Sequence, residues 1–370
     1  MSTQPFAQTN QNNRTYLFEI HFLRALACMG VVGVHLTATH YGILDQPWHW
    51  LSYFFNQYGR FGTTIFAVLS GFLLFYQVKR RGFMLGKFIK SRFTKILIPF
   101  LVWSVVYRLL GYAFEEKSFG DPASETVNLL LGNSYYHLYF VAIVLQFYLV
   151  FPIVQKLISS KILIFLTAAV SLVISVAFYE FDPNVSGMLG EFLTSKAFLP
   201  VWIFYFVFGC ILANYWEEIL SFTRKNPWIF LGITLLITIG TIVEYKVVGY
   251  VSNRRLTNIL NIPLLCISLV GLYPFLSKFS FIKKPLTAIG KYSMGIYLVH
   301  PLILFGLSKL IPQQYWTVEY LPLLFAAVML YSTLLIRIIQ LLPLNNLIVP
   351  VPAIKKNTAS QLQVKAKKAS

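Results

Sequence analysis

The chain has 370 residues, of which 57% are hydrophobic and only 12% charged, with a formal net charge of +18. Soluble domains carry about a quarter charged residues, so a sizeable water-soluble domain is excluded. The positive excess does not point to nucleic acid, because its placement follows the apolar segments.

Apolar runs of helix-spanning length recur along the chain. They predict an all-α polytopic membrane bundle of about ten transmembrane helices, at roughly 17–39, 58–77, 96–114, 135–155, 162–179, 197–215, 227–245, 256–276, 286–308 and 320–342. The eighth is the weakest, with Asn258, Asn261 and Pro263 near its start. The expected organisation is an amino-terminal segment 1–16, a transmembrane domain 17–342 and a basic tail 343–370, with Pro350 to Ser370 disordered. The first span is too long, and too charged in its middle, for a cleavable signal. Cys28, Cys210 and Cys266 lie in apolar spans without metal or disulfide spacing and read as small core residues.

Basic residues fall mostly on one side. Seven crowd the second connection between Lys79 and Lys95, and five more lie in the tail. By the positive-inside rule both termini are expected in the cytoplasm, against a local dissent from Arg254 and Arg255 in an outer connection.

Arg24 and His35 sit inside the first span. Eleven residues apart, they share one helix face about 16 Å apart, with Arg24 about 10 Å and His35 about 27 Å from the cytoplasmic end. Ionisable groups at bilayer depth cost several kcal/mol unless a partner or a water-filled cavity receives them, so both are functional candidates facing one internal passage. His300, about 21 Å along the ninth span, and His137, near the outer end of the fourth, lie in the same half of the membrane. Histidine suits proton transfer near neutral pH. Each has a blander reading: His137 as an interfacial anchor beside Tyr135 and Tyr136, and His300 as the cap of a break before Pro301. His21, His40 and His49 are expected to be solvated. Arg92 and Lys95 offer a docking place for a phosphorylated cofactor or, equally, an ordinary cytoplasmic anchor. Gly62, Ser70 and Gly71 read as a helix-packing face.

Taken together these residues resemble the acyltransferase-3 family of membrane-bound acyltransferases, over nearly the whole chain. Arg24 and His35 carry its Arg-x10-His, and FGTTIFAVLSGFL, with Ser70, is similar to its second-span pattern. SRFTKILIP resembles its Arg-x-x-Arg, with Lys95 in place of the second Arg. HLYFVAIVLQFYLVFP resembles its fourth-span run through His137, Tyr139 and Gln146, with Tyr139 in place of Trp. YSMGIYLVH matches a late element at Ser293, Tyr297 and His300. An acidic residue usual three before the Arg is absent, and Glu19 stands five before it. That arrangement looks most like the bacterial intercellular-adhesin subgroup, proposed to O-acylate or to export poly-N-acetylglucosamine.

The resemblance implies a ten-helix bundle in the plasma membrane. It also implies transfer of an acetyl, succinyl or similar acyl group from cytoplasmic acyl-CoA to a hydroxyl on an extracytoplasmic glycan, without a metal. His35 and Arg24 would be catalytic, with Arg92, Lys95 and Arg24 on the donor. Glu19, Ser70, His137, Tyr139, Gln146, Ser293, Tyr297 and His300 would be supporting. His35 would act as a general base or as an acylated nucleophile. Expected partners are the glycan, the lipid bilayer and polysaccharide synthase components, not nucleic acid. The alternative is a polysaccharide exporter without chemistry.

Overall fold

The computed structural model describes residues 17–353, apart from 182 and 253. The segment 1–16 and most of the tail therefore lie outside the described residues.

Described residues form helices joined by turns, with no strand among them. In order these are α1 (Phe18–Leu44), α2 (Trp50–Gly59), α3 (Phe61–Arg81), α4 (Leu85–Arg92), α5 (Ile98–Phe114), α6 (Pro122–Leu131), α7 (Tyr139–Leu157) and α8 (Lys161–Ala177). Then come α9 (Gly187–Thr194), α10 (Ile203–Asn214), α11 (Trp216–Lys225), α12 (Pro227–Val248), α13 (Asn258–Leu276), α14 (Ser280–Leu310), α15 (Leu321–Ile339) and α16 (Asn345–Ile348). Nine helical stretches among the described residues are long and apolar enough to cross a membrane, and each falls on an expected span. The remaining one, α8, is an apolar helix of 17 residues, at the short end of the range that spans a hydrocarbon core. Large apolar side chains on the outer faces, such as Leu149 and Val247, are about four-fifths exposed. In lipid that exposure carries no penalty, and the protein is a multi-pass membrane protein.

Backbone proximity sets the two crossings that frame the interior. Gly71 of α3 meets the backbone of Phe206, and Gly209 of α10 meets that of Phe72 and Val68, so a Cβ at either would overlap main chain. At Gly290 of α14 a Cβ would overlap the carbonyl of His21 in α1. Small residues at such crossings let helices approach where lipid supplies no hydrophobic drive. The α1–α14 contact brings Ser293 beside Arg24.

Two irregularities have identifiable causes. Between α4 and α5, Phe93–Leu97 forms a π-helical turn in which the Ile98 N–H reaches back to the Phe93 carbonyl. Pro99 follows and has no N–H to offer the Lys95 carbonyl, which removes an ordinary helical bond. In α14, Pro301 breaks the ladder at Tyr297. The Tyr107 hydroxyl fills the adjacent gap, donating to the Leu298 carbonyl at 2.7 Å and accepting from the Leu302 N–H at 3.2 Å.

Several sequence expectations need correction. The start of the tail packs on the bundle: Val349 and Val351 are buried, and the Ile348 carbonyl accepts from the Trp103 indole at 3.0 Å. His40 is not solvated but buried, bonded through Nδ1 to the Trp316 carbonyl. Arg255 is no topological signal. It is buried in an ion pair with Glu244 at 2.7 Å, bonds Asn258 at 2.8 Å and lies over the Phe61 ring.

Candidate functional site

Arg24 and His35 open into two different cavities. The first, about 270 Å³, is lined by Arg24, Ser70, Arg92, Lys95, Ser293 and Tyr297 among others. The second, about 460 Å³, is lined by His35, Arg60, Tyr136, His137, Tyr139 and Lys196, again with Tyr297. The expectation of a single passage is thereby corrected: the stripe on α1 serves two chambers, and Tyr297 is a wall of both. Its hydroxyl donates to the backbone carbonyl of His137, and Phe66 and Phe140 flank its ring with centroids 6.3 and 6.2 Å away.

The first cavity, on the side that the charge bias predicts to be cytoplasmic and called inner for that reason, is cationic. Arg24 donates through Nε to the Ser293 hydroxyl at 3.0 Å, and that hydroxyl donates to the Gly290 carbonyl at 3.2 Å. The Ser293 hydroxyl thus helps to hold the Arg24 fork in place. Arg92 lies over the rings of Phe88 and Tyr148, at 5.6 and 5.3 Å. Lys95 projects from the π-helical turn. Among the described residues no carboxylate lines this cavity.

The outer cavity gathers imidazoles. His35 stacks on His300 with ring centroids 5.3 Å apart, and His137 meets His300 edge-on at 5.6 Å. Tyr136 covers His35 at 4.5 Å. Because Pro301 has no N–H, the Tyr297 carbonyl is left open, and His300 Nδ1 lies 2.9 Å from it and 3.0 Å from the Ile296 carbonyl. Both partners are acceptors, so Nδ1 carries the proton and Nε2 keeps its lone pair. That Nε2 is buried and has no hydrogen-bond partner among the described residues. Arg60 is braced by the Asn56 side chain, with NH2 to oxygen at 3.0 Å. Asn56 in turn donates to the Val34 carbonyl and the Thr37 hydroxyl, both at 3.1 Å.

The family model described as an acyltransferase domain, acyltransferase-3, matches residues 17–339. The chain belongs to the acyltransferase-3 family. Among curated relatives, it is 26% identical over 307 residues to a Staphylococcus aureus protein named "probable poly-beta-1,6-N-acetyl-D-glucosamine export protein", covering 77% of this chain and 82% of that one. A Staphylococcus epidermidis protein of the same name is 28% identical over 302 residues, covering 77% of this chain and 81% of the relative. No solved structure matches the chain.

Within this acyltransferase-3 bundle the expected site residues divide into three groups. Arg24, Ser70, Arg92, Lys95, Ser293 and Tyr297 meet in the inner cavity, and His35, His137, Tyr139 and Tyr297 in the outer one. His300 is fully buried behind His35. Glu19 and Gln146 line neither. Glu19 pairs with Arg224 of α11 at 3.0 Å. The Gln146 amide ties α7 to the loop before α10, giving to the Ala197 carbonyl at 2.7 Å and accepting from the Leu199 N–H at 3.2 Å. Both act as structural ties. Sequence reasoning passed over Arg60, Lys196 and Tyr136. The first two lay in connections, where a charge reads as topology, and Tyr136 carried only its aromatic character.

Proposed function

We propose that this acyltransferase-3 protein moves an acetyl or other short acyl group from cytoplasmic acyl-CoA to a hydroxyl of an extracytoplasmic glycan. The observation that carries the reading is that a cationic cavity and an imidazole-lined cavity meet at one side chain, Tyr297. The inner donor set fits acyl-CoA. Arg92 and Lys95 would hold phosphate oxygens, Arg as a planar fork and Lys as a point charge. Arg24, held by Ser293, would place its positive charge beside the thioester carbonyl oxygen. The basic flank faces the cytoplasm by charge bias.

His35 acts as general base in this mechanism. It takes the proton of the acceptor hydroxyl as the hydroxyl oxygen bonds to the acyl carbon, and the carbon–sulfur bond breaks with sulfur leaving toward the inner cavity. Arg24 carries part of the negative charge that develops on the carbonyl oxygen. His300 fixes the His35 ring by stacking, and its own Nδ1 bonds hold it in place. Tyr297 must turn aside for the acyl carbon to meet the hydroxyl.

Export is the second reading, because the relatives bear that name. The tyrosine-rich outer cavity suits a sugar chain, whereas the aromatic layer of Tyr297, Phe66 and Phe140 obstructs a threaded polymer. Membranes given labelled acetyl-CoA and acceptor polysaccharide distinguish the two. Acyl transfer that is lost in folded His35→Ala and Arg24→Ala variants supports the enzyme, and full transfer in either overturns these assignments. Unmodified polymer reaching the medium with the double variant favours export.

A further inference from the structure

We propose that a third cavity, beside the inner one, receives the nucleotide end of the donor; this rests on the acyl-CoA reading above. Size is the first argument. At about 270 Å³ the inner cavity falls just below the range of about 300–1,000 Å³ typical of sites for drug-sized ligands. A whole acyl-CoA is larger than such a ligand. The inner cavity therefore accommodates the extended acyl-pantetheine arm, and the adenosine must lie outside it.

Position is the second. A cavity of about 200 Å³ opens between the end of α3 and α4, lined by Gln77, Arg81, Phe83, Lys87 and Phe88 among others. One layer of side chains divides it from the inner cavity. Phe88 lines the third cavity, its ring packs 5.8 Å from that of Tyr148, and Tyr148 with Arg92 lines the inner one. The turn at its rim is made by Gly82 at φ +68°, a left-handed conformation that a side chain would strain.

Chemistry is the third. Arg81 and Lys87 form no ion pair among the described residues, and no carboxylate lines the cavity. Phe83 and Phe88 supply aromatic rings to its wall, their centroids 5.6 Å apart; Phe88 is already covered by Arg92 and stacked on Phe151, which leaves Phe83 as the half-buried ring for a base. Two uncancelled cations beside aromatic rings match a ribose phosphate and a purine. With Arg92 and Lys95 on the pyrophosphate, Arg81 and Lys87 take the 3′-phosphate and Phe83 stacks the adenine. These residues bind and position; they touch no reacting atom.

The test uses the full-length purified protein in nanodiscs. Calorimetry measures binding of coenzyme A and of dephospho-coenzyme A to wild type and to the Arg81→Ala/Lys87→Ala variant. Both residues are solvent-exposed, so the variant retains the fold. Wild type should prefer coenzyme A by at least about tenfold, and the variant should lose that preference, as for removal of charged contacts. In the transfer assay the KM for acetyl-CoA should rise by a similar factor with kcat unchanged, while turnover of acetyl-pantetheine stays the same in both proteins. An unaltered preference for coenzyme A in the variant, or an equal loss with acetyl-pantetheine, overturns the site. If wild type binds coenzyme A with the expected preference yet transfers no acyl group, the enzymatic reading falls and the nucleotide site stands.

Discussion

The Tyr297 hydroxyl donates to the backbone carbonyl of His137, and that bond joins α14 to the entrance of α7 across the only layer separating the two described cavities that share Tyr297. The ring is held by this hydrogen bond, by the Phe66 and Phe140 edges, and by the His137 and His300 rings at 5.3 and 6.2 Å. Removing the hydroxyl deletes the first of these and leaves the bulk. Tyr297→Phe should therefore cost about 1 kcal/mol of stability and leave the chambers separate. Tyr297→Ala deletes the layer. Water then reaches the thioester, and thiol release from acetyl-CoA without acceptor should rise several-fold over wild type while transfer falls. Measuring free thiol with and without polysaccharide checks this; unchanged hydrolysis in the alanine variant removes Tyr297 as the partition.

His35 and His300 have separable parts to play. A general base contributes about 10²–10⁴-fold, so His35→Ala should lower kcat by that order with folding intact. His300 stands behind it with its proton committed to two carbonyls, and its Nε2 is buried without a hydrogen-bond partner among the described residues. His300→Gln should lower kcat less, by about tenfold, with little change in the KM for acyl-CoA, because it touches none of the inner-cavity cations Arg24, Arg92 and Lys95. Pro301→Ala reaches His300 indirectly. A restored N–H would compete for the Tyr297 carbonyl, so its kcat loss should resemble that of His300→Gln. A larger loss for His300→Gln than for His35→Ala would reverse the two roles.

The bundle was legible because apolar runs of spanning length admit few other folds, and each run met a helix. Arg24 and His35 stood out because charge at bilayer depth is costly. What the pattern lacked was partnership across long sequence separations. Glu19 resembled a site acid until Arg224, 205 residues away, accounted for it. His40 and Arg255 looked solvated or topological because the Trp316 carbonyl and Glu244 that bury them come from other elements. The division into two chambers depends on the direction of one tyrosine in an apolar helix, which periodicity does not encode. Arg60 and Lys196 converge on the outer cavity from separate connections, and no spacing rule links them.

The Arg255–Glu244 pair predicts a stability effect away from either cavity. The Arg255 side chain is 4% exposed and that of Glu244 is 24% exposed. Glu244→Gln strands a buried guanidinium, and the loss should be on the order of 2 kcal/mol, between the values for surface and fully buried pairs. Replacing both, as Arg255→Met with Glu244→Leu, removes the stranded charge and should recover most of that loss. Thermal unfolding of wild type and the two variants in one detergent measures it. If the double replacement unfolds earlier than Glu244→Gln, the pair does more than satisfy itself.

Acid sensitivity should concentrate in the segment that follows the carboxyl-terminal end of α5. The Asp121 carboxyl is held below the usual carboxylate range, first by the Ser124 hydroxyl at 2.6 Å and then by the backbone N–H groups of Ser124 and Ala123. Glu125 is held down by the Arg108 guanidinium and then by the Gly120 N–H at 2.8 Å. Both folded values lie below the unfolded ones, about 3.9 for Asp and 4.3 for Glu. The contribution is therefore complete at pH values above those unfolded values and is lost as the pH falls through the folded ones. Amide-exchange protection of 115–132 should stay level from pH 7 to about 5, after correction for intrinsic exchange rates, and drop below about 4. In Asp121→Asn the acid step should shrink, because Asn still caps α6 but has no proton to take up. An acid step of equal size in that variant would assign the sensitivity to Glu125 and Arg108 alone.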